Sequence, residues 1–530
     1  MTNKNSRPLM RPCHVFLEVE LGNKVIHVTM LGHYDVRKYF NKRLALSCSL
    51  IALSSFNYAF DNQGFAQTQA MDAFEKRFGV YDAKAKTWAL DTQWKSYFNG
   101  LPYLTFACDV IIGSCISARF GRRWCMFVMS IYALATATIT TTSQSSDQIL
   151  AARILNYIYI GMELSVVPVF QSEIAPTQIR GFMVGTYQLT IVFGGMVIGW
   201  VCNGTSKIHD DRSWRIPLGL FFVIPTIIAS LIWFIPESPR WLLIQGRMEE
   251  ARINLQILRE RAFTSDEIED EFASIQKGLQ IEPEQGHFKE LFSKSNRKRT
   301  AIVVGLNFFQ QATGQGFASQ YGTLYVKSLQ TVNSFNMNVI NGFIGLVIVL
   351  LCLYLNDRVG RRPLLLIGAV IQATALLIMG GLGVHTPSYP QKSAIVAMLS
   401  LFTVGFNIGW AALTYVVTTE IPTLRLRDNS QRIASVANVL TFFAVSFSLP
   451  YLMDAGSANL QSKVGFIYGS LSITSIAFVY FCVPECQGRS FEEIDRLFRK
   501  KTPLREFHKN GNSVGGEAGI TGFSDSKEVA

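Results

Sequence analysis

The chain has 530 residues, of which 49% are hydrophobic and 16% charged, well below the roughly 25% charged content of soluble domains. The formal net charge is +11, but the basic residues fall in short loops between apolar runs, so no nucleic-acid partner is expected. Nine cysteines lie mostly inside apolar runs, and even Cys482 and Cys486 sit at a helix end, so neither a metal site nor a disulfide framework is expected.

Residues 1–42 are polar and mixed, with no apolar core of signal-peptide type. They read as a cytoplasmic N-terminal segment, and Met30, shortly before the first apolar run, leaves open that the chain ahead of it is dispensable. A membrane-crossing helix needs about 20 mostly apolar residues. Twelve runs qualify: 43–64, 97–117, 124–142, 150–172, 182–202, 214–235, 300–325, 337–355, 364–384, 394–416, 433–453 and 464–483. The sixth and seventh are separated by a polar, helix-prone stretch that includes MEEARINLQILRERA. The expected organisation is a six-helix bundle (43–235), a cytoplasmic helical linker (236–299), a second six-helix bundle (300–484) and a cytoplasmic tail (485–530) rich in Gly and Ser at its end.

Basic residues set the expected orientation. ARFGRRW (118–124), TQIRG (177–181), KSNRKRT (294–300), DRVGRRP (357–363) and RLRDNSQR (425–432) all fall on one side of a twelve-span chain. That side is read as cytoplasmic, with both termini on it. Asn203-Gly204-Thr205 falls on the other side, where Asn203 is a candidate glycosylation acceptor close to a span.

The chain repeats itself. ARFGRR at 118–123 returns as DRVGRR at 357–362, and Glu173, Pro176 and Arg180 return as Glu420, Pro422 and Arg427, at offsets of 239 and 247 residues for the first positions of the two motifs. Duplication of this kind characterises secondary transporters, which hold substrate near the midplane between halves. Four ionisable residues fall inside the runs: Asp61, Asp109, Arg153 and Glu163. Each costs on the order of 3 kcal/mol at mid-helix, so each needs a partner or a watery cavity.

With these motifs the chain resembles the sugar porter family of the major facilitator superfamily, in its fungal branch. The resemblance covers about residues 45–498 and rests on RFGRR, PVFQSEIAPTQIRG (168–181), PESPRWLL (236–243), FFQQATGQG (308–316), DRVGRR and PECQGRSFEEID (484–495), in the family's order. EIPTLRLRD (420–428) resembles the fungal members. The resemblance implies an all-α membrane protein: twelve transmembrane helices in two pseudo-symmetric bundles, not an enzyme, with protons as coupling ion and no other cofactor. It implies a monomeric carrier in the plasma membrane, in contact with lipid, that takes up a mono- or disaccharide. A polyol, an organic acid or a secondary metabolite is the alternative cargo, and a sugar sensor on the same fold is a third reading.

The family places proton coupling on an aspartate of the first span and an arginine of the fourth, which align with Asp61 and Arg153. It places substrate contacts at Gln188, Gln310, Gln311 and Asn438, with Tyr321 at an outer gate. Asn407 and Tyr415 stand at further pocket positions where the family has other residues. Gly316, Gln320 and Gly345 also depart from the family, which implies less bulk in the pocket and a ligand larger than, or different from, glucose. A cytoplasmic gate network is implied for Arg119, Arg122, Arg123, Glu173, Arg180 and Glu237. Its counterpart in the second half is Asp357, Arg358, Arg361, Arg362, Glu420, Arg427 and Glu485. Ala118 stands where the family carries a polar or acidic residue, which implies a weaker first network.

Overall fold

The computed structural model describes residues 16–20, 25–29, 41–83, 86–176, 180–281, 287–454, 456–487, 491–500 and 502–507. The expected tail beyond residue 507, most of residues 1–40, and the side chains of Arg180 and Asp357 lie outside the described residues.

Among the described residues, eleven helices are long and apolar enough to cross a membrane. They are Lys42–Thr68, Thr92–Phe120, Arg122–Thr142, Ser146–Ile174, Thr186–Thr205, Arg212–Phe234, Ser334–Asn356, Arg361–Leu382, Tyr389–Glu420, Arg427–Met453 and Gln461–Cys482. In chain order these are spans 1–6 and 8–12. Span 7 is not one continuous α-helix, unlike the expectation from 300–325. It runs as Arg297–Ala312, a π turn at Phe317–Tyr321, and Gly322–Leu329. The break has a local cause. Gly314 adopts φ +98°, a left-handed conformation, with the Tyr468 ring packed where a Cβ would stand. A β-carbon is strained there and glycine is not.

Spans 1–6 pack as one bundle, with span 2 against span 4, span 1 against span 5 and span 3 against span 6. Spans 7–12 form the other, with span 9 against spans 10 and 12, and span 7 against span 11. Two seams join the halves: span 5 on span 8, and span 2 on span 11. Under the six-span repeat each seam maps onto the other, so the halves meet with pseudo-twofold symmetry. Between the bundles lie helices Pro239–Ile244, Met248–Arg259 and Ser265–Ile281. The second is docked by Arg259, which donates to both oxygens of Glu271 at 2.8 Å and to the Ile174 carbonyl at 2.9 Å.

The two Gly-Arg-Arg loops lie at the same end of the molecule, called here the GRR end. At each, the chain turns from one span into the next through a left-handed glycine, Gly121 (φ +96°) and Gly360 (φ +98°). In the first, Glu237 accepts from the backbone N–H of Arg122 at 3.2 Å and of Arg123 at 3.0 Å. In the second, Glu485 accepts from Arg361 at 3.2 Å and Arg362 at 3.0 Å. A carboxylate at a helix N-terminus satisfies orphan donors and complements the macrodipole. A Cβ on Gly121 would stand 2.7 Å from Glu237 Oε2, and one on Gly360 2.7 Å from Glu485 Oε2. Gly121→Val should therefore lose both backbone ease and the cap. We expect it to cost about 1–3 kcal/mol, read as a lowered melting temperature of the detergent-solubilised protein; an unchanged melt would refute this account of the loop.

Candidate functional site

A cavity of about 320 Å³ lies between the halves. It is lined from the first half by residues including Tyr58, Asn62, Glu163, Tyr187 and Gln188, and from the second by residues including Asn307, Gln310, Gln311, Gln320, Asn407, Tyr415 and Asn438. Six of the residues expected to contact substrate thus share one cavity: Gln188, Gln310, Gln311, Asn438, Asn407 and Tyr415. A surface depression of about 570 Å³ at Lys76, Arg77, His209, Asp210, Asp211 and Arg212 lies among loop charges at the opposite end from the GRR loops and is lined mostly by charged side chains.

The amides in the cavity are not equivalent. Gln310 donates to the Trp410 carbonyl at 2.8 Å and accepts from Asn438 at 2.6 Å, so both of its ends are engaged. Gln311 donates to Asn438 at 3.0 Å, while its Oε1 is buried without a partner among the described residues. Adjacent helical positions point about 100° apart, and here one glutamine braces the wall while its neighbour keeps an acceptor for something else. Asn407 donates back to the Thr403 carbonyl at 2.9 Å.

Tyr321, expected at an outer gate, bridges the two halves on the side away from the GRR end. It does not line the cavity; its hydroxyl lies 2.9 Å from the Ser446 carbonyl and 3.1 Å from that of Lys95, donating to this pair. The π turn rotates Gln320 into the cavity instead. Gln320 Nε2 donates to Asn62 at 2.5 Å and to the Tyr103 hydroxyl at 3.2 Å, and Asn62 donates to Tyr103 at 3.1 Å. These three side chains close the cavity on the side away from the GRR end, with the Tyr103 ring 4.3 Å from that of Phe442 across the seam. Ion pairs beyond them join the halves again: Lys327 with Asp72 and Glu75, each at 2.7 Å, and Lys95 with Asp454 at 2.9 Å. Sequence reading missed Asn62 altogether, although it directly follows Asp61. Gly316, expected to enlarge the pocket, faces Ser446, Val445 and Phe442 instead, so the space it leaves is filled by span 11.

Asp61 and Arg153 meet inside the first bundle. Asp61 is 2% and Arg153 1% exposed. Arg153 Nη1 donates to both Asp61 oxygens at 3.4 and 3.5 Å, and Asn156 donates to Asp61 as well. Nη2 donates to the Tyr157 hydroxyl at 2.9 Å, and the guanidinium lies over the Phe65 ring at 4.1 Å. The pair is long for a charge-assisted contact, which usually closes to about 2.7–2.9 Å. From it, a short chain of contacts reaches the cavity roof: the Tyr157 ring lies 4.9 Å from Tyr103, which binds Asn62 and Gln320.

At the GRR end, Arg122 grips Glu173 with two bonds of 2.9 Å and Arg361 donates to Glu420 at 3.1 Å. Arg122 also donates to the Ser117 carbonyl at 3.0 Å, and Arg361 to that of Asn356 at 3.2 Å. Arg123 and Arg362 reach the carbonyls of Ile235 and Tyr480 at 3.2 and 2.7 Å. Glu237 and Glu485 serve as helix caps through backbone N–H groups. Burial holds the Glu237 carboxyl above the usual carboxylate range, with the Ser238, Arg123 and Arg122 N–H groups acting the other way. Arg119 is exposed over the Phe120 ring and Arg358 lies over Tyr354. Arg427 opens span 11, half-buried. At the Ala118 departure, the backbone carbonyl receives the Trp241 indole N–H at 2.8 Å, a contact that does not depend on the side chain. Asn203 lies half-buried in the final turn of a helix, with Oδ1 buried.

Comparison with known proteins agrees with this architecture. The signature of the family described as "Sugar (and other) transporter" matches residues 47–498. The chain is 31% identical over 401 residues to the high glucose sensor RGT2 of Saccharomyces cerevisiae, covering 74% of this chain and 53% of that one. It therefore spans about half the length of that relative. It is 28% identical over 478 residues to the S. cerevisiae hexose transporter HXT9, covering 87% of this chain and 83% of that one. Among solved structures, the inward open conformation of the E. coli xylose transporter XylE superimposes with a TM-score of 0.69 at 20% identity, over 86% of this chain and 99% of that one. The spans make this an integral, multi-pass membrane protein. The chain belongs to the "Sugar (and other) transporter" family, on the major facilitator fold.

Proposed function

We propose that the protein takes up a sugar by alternating access, coupled to protons, with Asp61 as the proton-binding group. The observation that carries this reading is the buried Asp61–Arg153 pair, one residue from the cavity-lining Asn62. A carboxylate beside a guanidinium is held ionised, and away from it in an apolar surround it takes up a proton. Protonation would loosen Asp61 from Arg153, and the strain reaches the roof through Tyr157, Tyr103 and Asn62. Each bundle is pinned within itself at the GRR end, so the halves rock as bodies about the two seams. A membrane potential of 100 mV supplies about 2.3 kcal/mol per charge, roughly a fifty-fold accumulation. The GRR end faces the cytoplasm in this reading, and the membrane is the plasma membrane.

The cavity volume of about 320 Å³ lies at the small end of ligand sites, about 300–1,000 Å³. It suits a monosaccharide better than a disaccharide. A polyhydroxylated acid belongs in the panel too, because the chain is 26% identical over 470 residues to the high-affinity gluconate transporter ght3 of Schizosaccharomyces pombe. The test is uptake of radiolabelled glucose, xylose, maltose and gluconate into transporter-deficient yeast at two external pH values, with and without an uncoupler. Accumulation that rises at low pH and collapses with uncoupler is expected. Uptake that only equilibrates, indifferent to uncoupler, would sink the coupling.

Within the cavity, Gln311→Ala should raise KM for the transported sugar by about tenfold, the worth of one hydrogen bond to a buried acceptor. Gln310→Ala should lower thermal stability more than Gln311→Ala does, because it orphans the Trp410 carbonyl and Asn438. Equal effects of the two on KM would contradict this division of labour.

A further inference from the structure

Glu163 takes no part in the mechanism above, yet it is 0% exposed and lines the cavity. Neither of its carboxylate oxygens has a hydrogen-bond partner among the described residues. It lies ten residues beyond Arg153 on span 4, about 15 Å further along the helix axis, so it belongs to a different level of the protein than the coupling pair. Its surroundings are phenolic: Tyr58 of span 1, Tyr159 of its own span and Tyr187 of span 5 are near enough to feel its charge. Tyr159 is already engaged by Ser54 and Asn57. An unpartnered buried carboxylate is costly, and an arrangement of this kind persists when something else completes it.

Resting on the sugar-carrier reading, we propose that Glu163 is a specificity-determining contact: it accepts hydroxyl hydrogens from the sugar and so selects which hydroxyls the substrate must carry. The chemistry matches on both sides. A sugar presents hydroxyls around a ring that both donate and accept, and a carboxyl group offers acceptors to them in either protonation state. Gln310 and Asn438, on the opposite wall, are largely consumed by each other. Glu163 on one wall and the free Oε1 of Gln311 on the other therefore supply acceptors from both halves. A ligand that satisfies both sits across the gap between the halves. A site built to bind a hydroxyl rejects the analogue lacking it, because its buried acceptor is left unpaired.

The test is a thermodynamic cycle on the full-length protein in liposomes, read by counterflow without a proton gradient, so that coupling does not enter. The ligands are the best-transported sugar of the panel and its monodeoxy analogues; the variants are Glu163→Ala and Glu163→Gln. In the wild type, at least one deoxy analogue should bind about tenfold or more weakly than the parent sugar, the range for leaving a buried acceptor unpaired. In Glu163→Ala the parent should weaken by a similar factor, and the same analogue should differ from the parent by less than about twofold. Glu163→Gln, which keeps one acceptor and the side-chain volume, should fall between them and serves if the alanine variant does not fold. Discrimination in the variants equal to wild type overturns the proposal. So does an unchanged KM in both variants; accumulation lost in a separate uptake measurement under a proton gradient would then make Glu163 a proton carrier instead. A wild type that exchanges none of the four compounds overturns the carrier reading itself, and this inference with it.

Discussion

Asp61→Asn is expected to abolish uphill accumulation of sugar while leaving exchange down its gradient. Asparagine has the shape of a neutral carboxyl, so the variant behaves as though permanently protonated: it can cycle but cannot release a proton. The accumulation ratio should fall from tens-fold to near unity under a potential of about 100 mV, measured as the steady-state internal-to-external concentration in energised vesicles. Retained accumulation in Asp61→Asn would remove Asp61 from the coupling role. The partner variant behaves differently. Arg153→Met leaves Asp61 buried with only Asn156 to bond it, and breaking a buried pair by removing one partner costs about 3–5 kcal/mol. We expect a large fall in melting temperature that Asp61→Asn in the same chain substantially restores, because the double variant buries no unpaired charge. Additive destabilisation by the two changes would mean that the pair does not interact energetically, whatever its geometry.

Gln320→Ala should open the side of the cavity away from the GRR end. The side chain bonds Asn62 and Tyr103 across the interface between halves, and truncating it leaves both with a lost partner. An orphaned buried polar group costs about 1–3 kcal/mol, which shifts the closed-to-open ratio by roughly 5- to 150-fold. Ser319 lines the cavity beside it, so a cysteine introduced there reports access. Labelling of Ser319→Cys by a membrane-impermeant thiol reagent, added from the side away from the GRR loops, should accelerate several-fold when Gln320→Ala is added. An unchanged rate would mean that the ion pairs of Lys95 and Lys327 hold that side closed without the amides.

These two experiments probe residues that differed in how readable they were. Asp61 and Arg153 stood out in the sequence because charge inside an apolar run must find a partner, and the structure brings the two together. Arg122 with Glu173 and Arg361 with Glu420 were readable for a second reason, since each pair occurs twice at nearly constant offset. Amides carry no such signal. Asn62 and Gln320 look like any polar residue that glues helices together, and the face Gln320 presents depends on a π turn that follows Gly314, whose neighbour Tyr468 is distant in sequence. The same turn divided span 7 in two. Glu237 and Glu485 were readable as charges but not as caps, because their partners are backbone N–H groups rather than arginine side chains. Gly316 shows the remaining difficulty: a small residue enlarges a pocket only if no neighbour fills the space, and that is a property of packing, not of the residue.

The two carboxylate caps bear on where the molecule can give. Each fastens the start of a bundle's third helix to the segment after its sixth, so a bundle is clasped by its own last residues and holds its shape without help from the other. Softness is then left to the two seams, span 5 on span 8 and span 2 on span 11. Changes in lipid thickness or temperature would act there first, altering how often the carrier turns over well before either half begins to come apart.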